Sequence, residues 1–206
     1  MKTAPPRRAA GAAIILAGLI AAAPPAQAHP HVWITYLAAV AFKTGKIAGL
    51  KEQWVFDEDF STVALQDLPT GAATTVLKPS DVAILEKSEF SNLKNYAYFH
   101  HVFVGGQDLG VGGVENFTAR LDGRRLVYNF LINLKNPIDP HTAPVEIGIW
   151  DDTFFVDVEP VSENGITIEG DGAQGCTTAI VQDEDHAIFD GLVVPPAIQV
   201  SCGKSQ

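Results

Sequence analysis

Apolar and polar residues alternate from His31 to Phe42, so that in an extended chain Val32, Ile34 and Tyr36 share one face while His31, Trp33, Thr35 and Leu37 share the other. Lys43-Thr44-Gly45-Lys46 then gives a glycine-containing turn before a second β-rich run from Ile47 to Phe56, and the two runs predict a hairpin. Asp57-Glu58-Asp59-Phe60-Ser61 leads into a short helix over 62–68, with acidic residues favouring its first turn. Residues 69–79 carry Pro69, Gly71 and Pro79 and read as loop. Ser80 then serves as N-cap of a helix from Asp81 to about Asn95, whose apolar face continues through Phe90, Leu93 and Ala97.

Tyr98 to Val104 returns to strand composition. Gly105-Gly106 turns the chain, and 114–121 and 126–134 form a further hairpin around Asp122-Gly123. A proline-rich loop follows, with Pro137, Pro140 and Pro144 around His141. Strands over 145–150 and 153–158 flank Asp151-Asp152, and 166–169 adds another. Repeated hairpins with little helix predict a mainly β fold, an antiparallel β-sandwich or open barrel with one helical insertion.

Composition changes this picture at the ends of the chain. Residues 1–28 have a basic start (Lys2, Arg7, Arg8), an apolar run from Ala9 to Ala23, and Ala26 and Ala28 at the small positions of an A-x-A cleavage site, the layout of a removed signal peptide. The expected mature protein is one soluble periplasmic domain, 29–206, with no further run long enough to span a bilayer. Losing three basic residues takes the formal charge from −10 to −13, which disfavours nucleic acid and mildly attracts cations. Cys176 and Cys202, the only cysteines, read as a disulfide that staples the C-terminal tail, contributing roughly 3 to 4 kcal/mol. The alternative, two thiolate metal ligands, lacks the C-x-x-C spacing of zinc sites.

Cleavage after Ala28 would make His29 the first residue. Its α-amine and imidazole can chelate a metal ion, and His31 adds a second imidazole. Pro30 has no N–H to lose, which excludes a site built on deprotonated backbone amides and leaves amine and imidazoles, a set suited to zinc, nickel or copper. Tight pairing of the first two strands brings Asp57 and Glu58 beside this terminus as carboxylate partners. His100 and His101 are adjacent in a strand, so at most one of them faces any given site. Asp151 joins the candidate metal set, while His141 and His186 stay undecided, His186 reading first as part of a solvated acidic loop. A nucleophile elbow, a H-E-x-x-H pair, a Walker loop and a calcium loop are all absent, so no familiar hydrolase or kinase is indicated and no catalytic residue is assigned.

His29-Pro30-His31-Val32-Trp33-Ile34, Phe56-Asp57-Glu58-Asp59-Phe60-Ser61 and Trp150-Asp151-Asp152-Thr153-Phe154-Phe155-Val156-Asp157 together resemble a family of bacterial periplasmic proteins, the domain of unknown function numbered one thousand and seven. That family is described as a periplasmic component of ABC-type transport. The resemblance implies a periplasmic accessory to transition-metal uptake, working with a membrane metal transporter (ABC or nickel/cobalt-type permease), with His29 and His31 as the matching histidines. The acidic insertion that family members carry after the second motif is missing here, where Leu68 to Thr75 supply no calcium ligands. Two other functions stay open. One is a copper-dependent oxidative enzyme built on an N-terminal histidine brace, its second histidine drawn from His100, His101 or His141. The other is a non-catalytic β-sandwich interaction module.

Overall fold

A computed structural model describes residues 30–71 and 73–203. The expected signal peptide, 1–28, and His29 lie outside the described residues. The architecture is two packed, mainly antiparallel sheets, an open sandwich rather than a closed barrel. The first sheet runs β5 (Val111–Asp122), β6 (Arg125–Ile138), β2 (Lys46–Phe56), β1 (Val32–Lys43) and β8 (Val156–Pro160), with β9 (Ile166–Gly170) also pairing with β1. The second runs β10 (Cys176–Gln182), β11 (Pro196–Cys202), β7 (Val145–Ile149), β3 (His100–Val104) and β4 (Gln107–Asp108).

Strand β1 (Val32–Lys43) is the spine of the first sheet, and its side chains alternate strictly between core and surface over its first half. It turns through Thr44 (φ 52°) and Gly45 (φ 77°) into β2 (Lys46–Phe56), a two-residue left-handed turn that matches strand twist. Ile34 pairs with Phe56 and Lys43 with Lys46, so the start of β1 sits beside the end of β2 as the sequence implies. β5 (Val111–Asp122) and β6 (Arg125–Ile138) form the second hairpin around Gly123. β6 runs through Pro137 to Ile138, beyond the loop boundary that the prolines suggest, because Ile47 pairs with Ile138 across a register shift.

Parallel pairing is the departure from the expected antiparallel pattern. β8 (Val156–Pro160) and β9 (Ile166–Gly170) both lie parallel to β1, end to end along one edge. The Cys176–Cys202 disulfide joins directly opposed residues of β10 and β11.

Between the sheets, Trp54 is fully buried against Phe130 and Phe99, with Ile147, Ile149, Ile198 and Val200 facing it from the second layer. Helix α1 (Glu58–Gln66) starts earlier than composition suggests, capped by Asp57. Helix α2 (Pro79–Ser88) is shorter than the predicted 81–95. Its first turn is set by Pro79, with Asp81 accepting from the Lys78 amide, rather than by Ser80 as N-cap. It ends where Ser91 Oγ donates to the Glu86 carbonyl and Asn92 Nδ2 to that of Ser88, local bonds that compete with the helical ladder. Phe90–Phe99 continues as a kinked 3-10 segment in which Ala97, Tyr98 and Phe99 all take positive φ. No helix among the described residues is long and apolar enough to cross a membrane.

Candidate metal centre at the open end of the sandwich

Three segments far apart in sequence meet where β1 begins. On one side Asp57 joins the strand through both carboxylate oxygens: Oδ2 accepts from the Trp33 amide at 2.9 Å and Oδ1 from the Phe60 amide at 2.8 Å. The Asp57 amide donates in turn to the Trp33 carbonyl. On the other side the His31 amide donates to the Phe155 carbonyl at 2.9 Å, and the two rings lie 4.7 Å apart. Asp151 shapes that loop, accepting from the amides of Thr153, Phe155 and Val156 and from the Thr153 hydroxyl.

Asp57 and Asp151 are therefore anchors. Their oxygens are committed to backbone donors, and they hold the strand start in place rather than presenting open ligands. Glu58 is near the same corner but turns to Arg124, 3.4 Å away at the β5–β6 turn. The carboxylate that the sheet does put on the His31 face is Asp157, which pairs in register with Trp33 across the parallel β1–β8 contact. Trp33 is 48% exposed, so it lies on the outer face with His31 instead of joining the core. Burial pushes the Asp157 carboxyl above its ordinary range, and Glu159, two residues on, is raised by its own burial and then by the charge of Asp157. The alternation Val156-Asp157-Val158-Glu159 carried the signal for Asp157, but only the parallel pairing sets it beside β1.

His100 and His101 diverge as adjacent strand residues must. His100 points into the core and is 1% exposed; its Nδ1 lies 2.6 Å from the Tyr98 carbonyl and its Nε2 2.5 Å from Glu52 Oε1. Glu52 is equally buried and takes the Trp54 indole N–H at 2.6 Å. This corrects the candidate set: His100 has both nitrogens engaged inside the sandwich, and it is out of reach of a surface metal site or a terminal copper brace. Alternation puts Glu52 on the inward face with Leu50, Trp54 and Phe56, but its pairing with His100 is unreadable from sequence because it depends on the facing sheet.

His101 faces outward into an open pocket of about 570 Å³ lined by Asp108, Asp152, His186 and Asp190 over the rings of Phe103 and Trp150. Its Nδ1 is 4.0 Å from Asp108 and its Nε2 4.0 Å from Asp152. The ring stacks on Trp150 at 4.4 Å, and Trp150 lies over β7 because residue 148 is glycine: a Cβ there would meet the indole at 1.7 Å. Burial holds the His101 imidazole below its ordinary value, outweighing the opposing pull of Asp152, Asp108 and a hydrogen bond at Trp150. His186 packs on Phe103 at 3.8 Å and takes both oxygens of the buried Asp183, so it is part of a built wall rather than a solvated loop. The two carboxylates flank opposite nitrogens of the ring, so an ion bound to His101 would have one of them beside it, not both. The 150–156 loop links both places, docking His31 through Phe155 and reaching His101 through Asp152.

A family model described as "Protein of unknown function (DUF1007)" matches residues 14–190. The chain is also 31% identical over 112 residues to an "Uncharacterized 15.5 kDa protein in trpE 3'region" of Spirochaeta aurantia, a match covering 54% of this chain and 79% of that one. No solved structure matches. The three segments that meet at the start of β1 all lie wholly or largely inside the matched span, and with most of the chain covered, this protein belongs to the DUF1007 family.

Proposed function

We propose that the protein is a non-catalytic periplasmic binder of a divalent transition-metal ion (zinc, nickel or copper), serving a membrane metal transporter. The observation that supports this best is the anchoring of the chain at His31, directly after Pro30. Asp57 on one side and the Asp151-shaped loop on the other hold the chain at His31 and Trp33, where β1 begins. The His31 amide is spent on Phe155 and Pro30 has none to offer, so coordination there falls to imidazoles and, after cleavage, to the His29 amine. Asp157 supplies the carboxylate of the same face.

Calorimetry on metal-free chain beginning at His29 tests this reading. Near-stoichiometric binding is expected, weakened at least tenfold in His31→Ala and by one extra alanine before His29, about 1.4 kcal/mol. Because the amine has a reference pKa of about 7.7 to 8, binding should release protons and weaken below roughly pH 7. Binding no tighter than millimolar would end the proposal. A second reading places the ion at His101, favoured by its open pocket and by a carboxylate 4.0 Å from either ring nitrogen, one of which would join the ion. Retained affinity in His31→Ala with loss in His101→Ala would select it.

A further inference from the structure

We infer that the C-terminal hairpin holds a second metal site gated by its disulfide: two-electron reduction of Cys176–Cys202 by a dithiol frees two thiolates that, with His141, bind a thiophilic ion such as zinc. A ring nitrogen of His141 and both sulfurs already lie within 4.8 Å of one another, and all three residues are partly buried. This site is independent of the terminal one, sharing no residue with it.

The scaffold on both sides persists when the disulfide opens. β10 and β11 are paired over the whole length from Cys176–Cys202 to Gln182–Pro196, and the Gly203 amide continues the ladder to the Gly175 carbonyl at 3.0 Å. The sulfurs therefore stay opposite each other once they separate. His141 is fixed from the β6–β7 loop by Asp139, whose Oδ1 accepts from the His141 amide at 3.0 Å and lies 3.1 Å from Nδ1. Thr142 closes the same turn through its amide and hydroxyl on the Asp139 carbonyl. With Nδ1 on Asp139, Nε2 is the nitrogen assigned to the ion, an arrangement in which the carboxylate raises ligand basicity.

The chemistry balances simply. The dithiol gives two electrons and two protons and becomes a disulfide, while Cys176 and Cys202 become thiols. Metal entry then releases those two protons, because the thiolate is the ligand. Two sulfurs and one imidazole leave a fourth tetrahedral position open to water. In the oxidised protein the sulfurs have no thiolate to offer, so the site is off.

The test adds cobalt(II) to the whole protein before and after reduction with a water-soluble trialkylphosphine, which takes oxygen from water to give a phosphine oxide and two thiols. The expected result is a sulfur-to-cobalt charge-transfer band in the reduced protein only, with one ion displaced by zinc. His141→Ala should keep the β circular dichroism and weaken cobalt binding at least tenfold. Three results would overturn the proposal: no charge-transfer band after reduction, an unchanged affinity in His141→Ala, or loss of the fold on reduction. Since the band requires sulfur, its failure is separable from failure of the terminal site, which is read in the oxidised protein.

Discussion

His100 and His101 are neighbours on one strand, and they have opposite fates. His100 closes the interior, joined to Glu52 of the facing sheet among Trp54, Phe99 and Tyr98. His101 opens to a pocket with carboxylates at a distance and a ring wall beneath. The same side chain therefore serves cohesion between sheets in one case and availability to a ligand in the other. The difference arises from strand pleat alone, since successive residues face opposite sides. Histidines clustered in a sequence are thus poor evidence of a shared site unless their spacing suits the element that carries them.

The sharpest way to break the contrast is to remove one half of the interior pair. Glu52→Ala leaves His100 buried without its partner and should destabilise by about 3 to 5 kcal/mol, read as a lower urea midpoint. His101→Ala, at the outer position, should cost far less in the same measurement; equal losses would show that the outward histidine is also structural. Next in size is Gly148→Ala. Its methyl would displace the Trp150 ring, and overpacking of this kind costs about 1 to 3 kcal/mol. Tryptophan fluorescence should shift and the pocket around His101 should distort, whereas an unshifted spectrum would show that the indole yields at no cost.

A smaller effect separates the two places for metal. If the ion sits at the terminus, Asp157→Asn should weaken it several-fold, and metal should draw the raised Asp157 carboxyl back down in a carboxylate-resolved titration. An ion at His101 would leave Asp157 unmoved. The smallest effect is a pH dependence of stability. Burial lowers the His101 value in the folded protein, so the unfolded chain binds the proton first. Stability is then fully present above about pH 6.5 and declines as pH falls through the folded value. His101→Ala should flatten that decline, and an unchanged slope would assign it to other groups.

Much of the frame was legible in local pattern. Alternation placed His31 and Trp33 on one shared face, two glycine turns located the hairpins, and the tight first hairpin brought Asp57 to the start of β1. The lone cysteine pair was read correctly as a disulfide. What stayed illegible is bonding that hydrophobic periodicity does not encode, some of it local and some to distant partners. Asp57 and Asp151 look like ligands in a row of residues, yet each is absorbed by backbone donors that appear only when the chain folds. Asp157 looks like any polar strand residue until parallel pairing sets it beside Trp33. Helix α2 was overextended because the periodicity of Phe90, Leu93 and Ala97 carried no trace of the Ser91 and Asn92 bonds that end it.

Sequence by itself determined the strand pleat, the turns, the mainly β class and the two histidines that cannot share a site, because each follows from backbone geometry over a few residues. Tertiary structure decided which acidic groups are structural, that Asp157 shares a sheet face with His31, and that His141 lies beside the disulfide. Those outcomes depend on segments up to more than a hundred residues apart, joined by pairing within a sheet or by packing of the two sheets around Trp54.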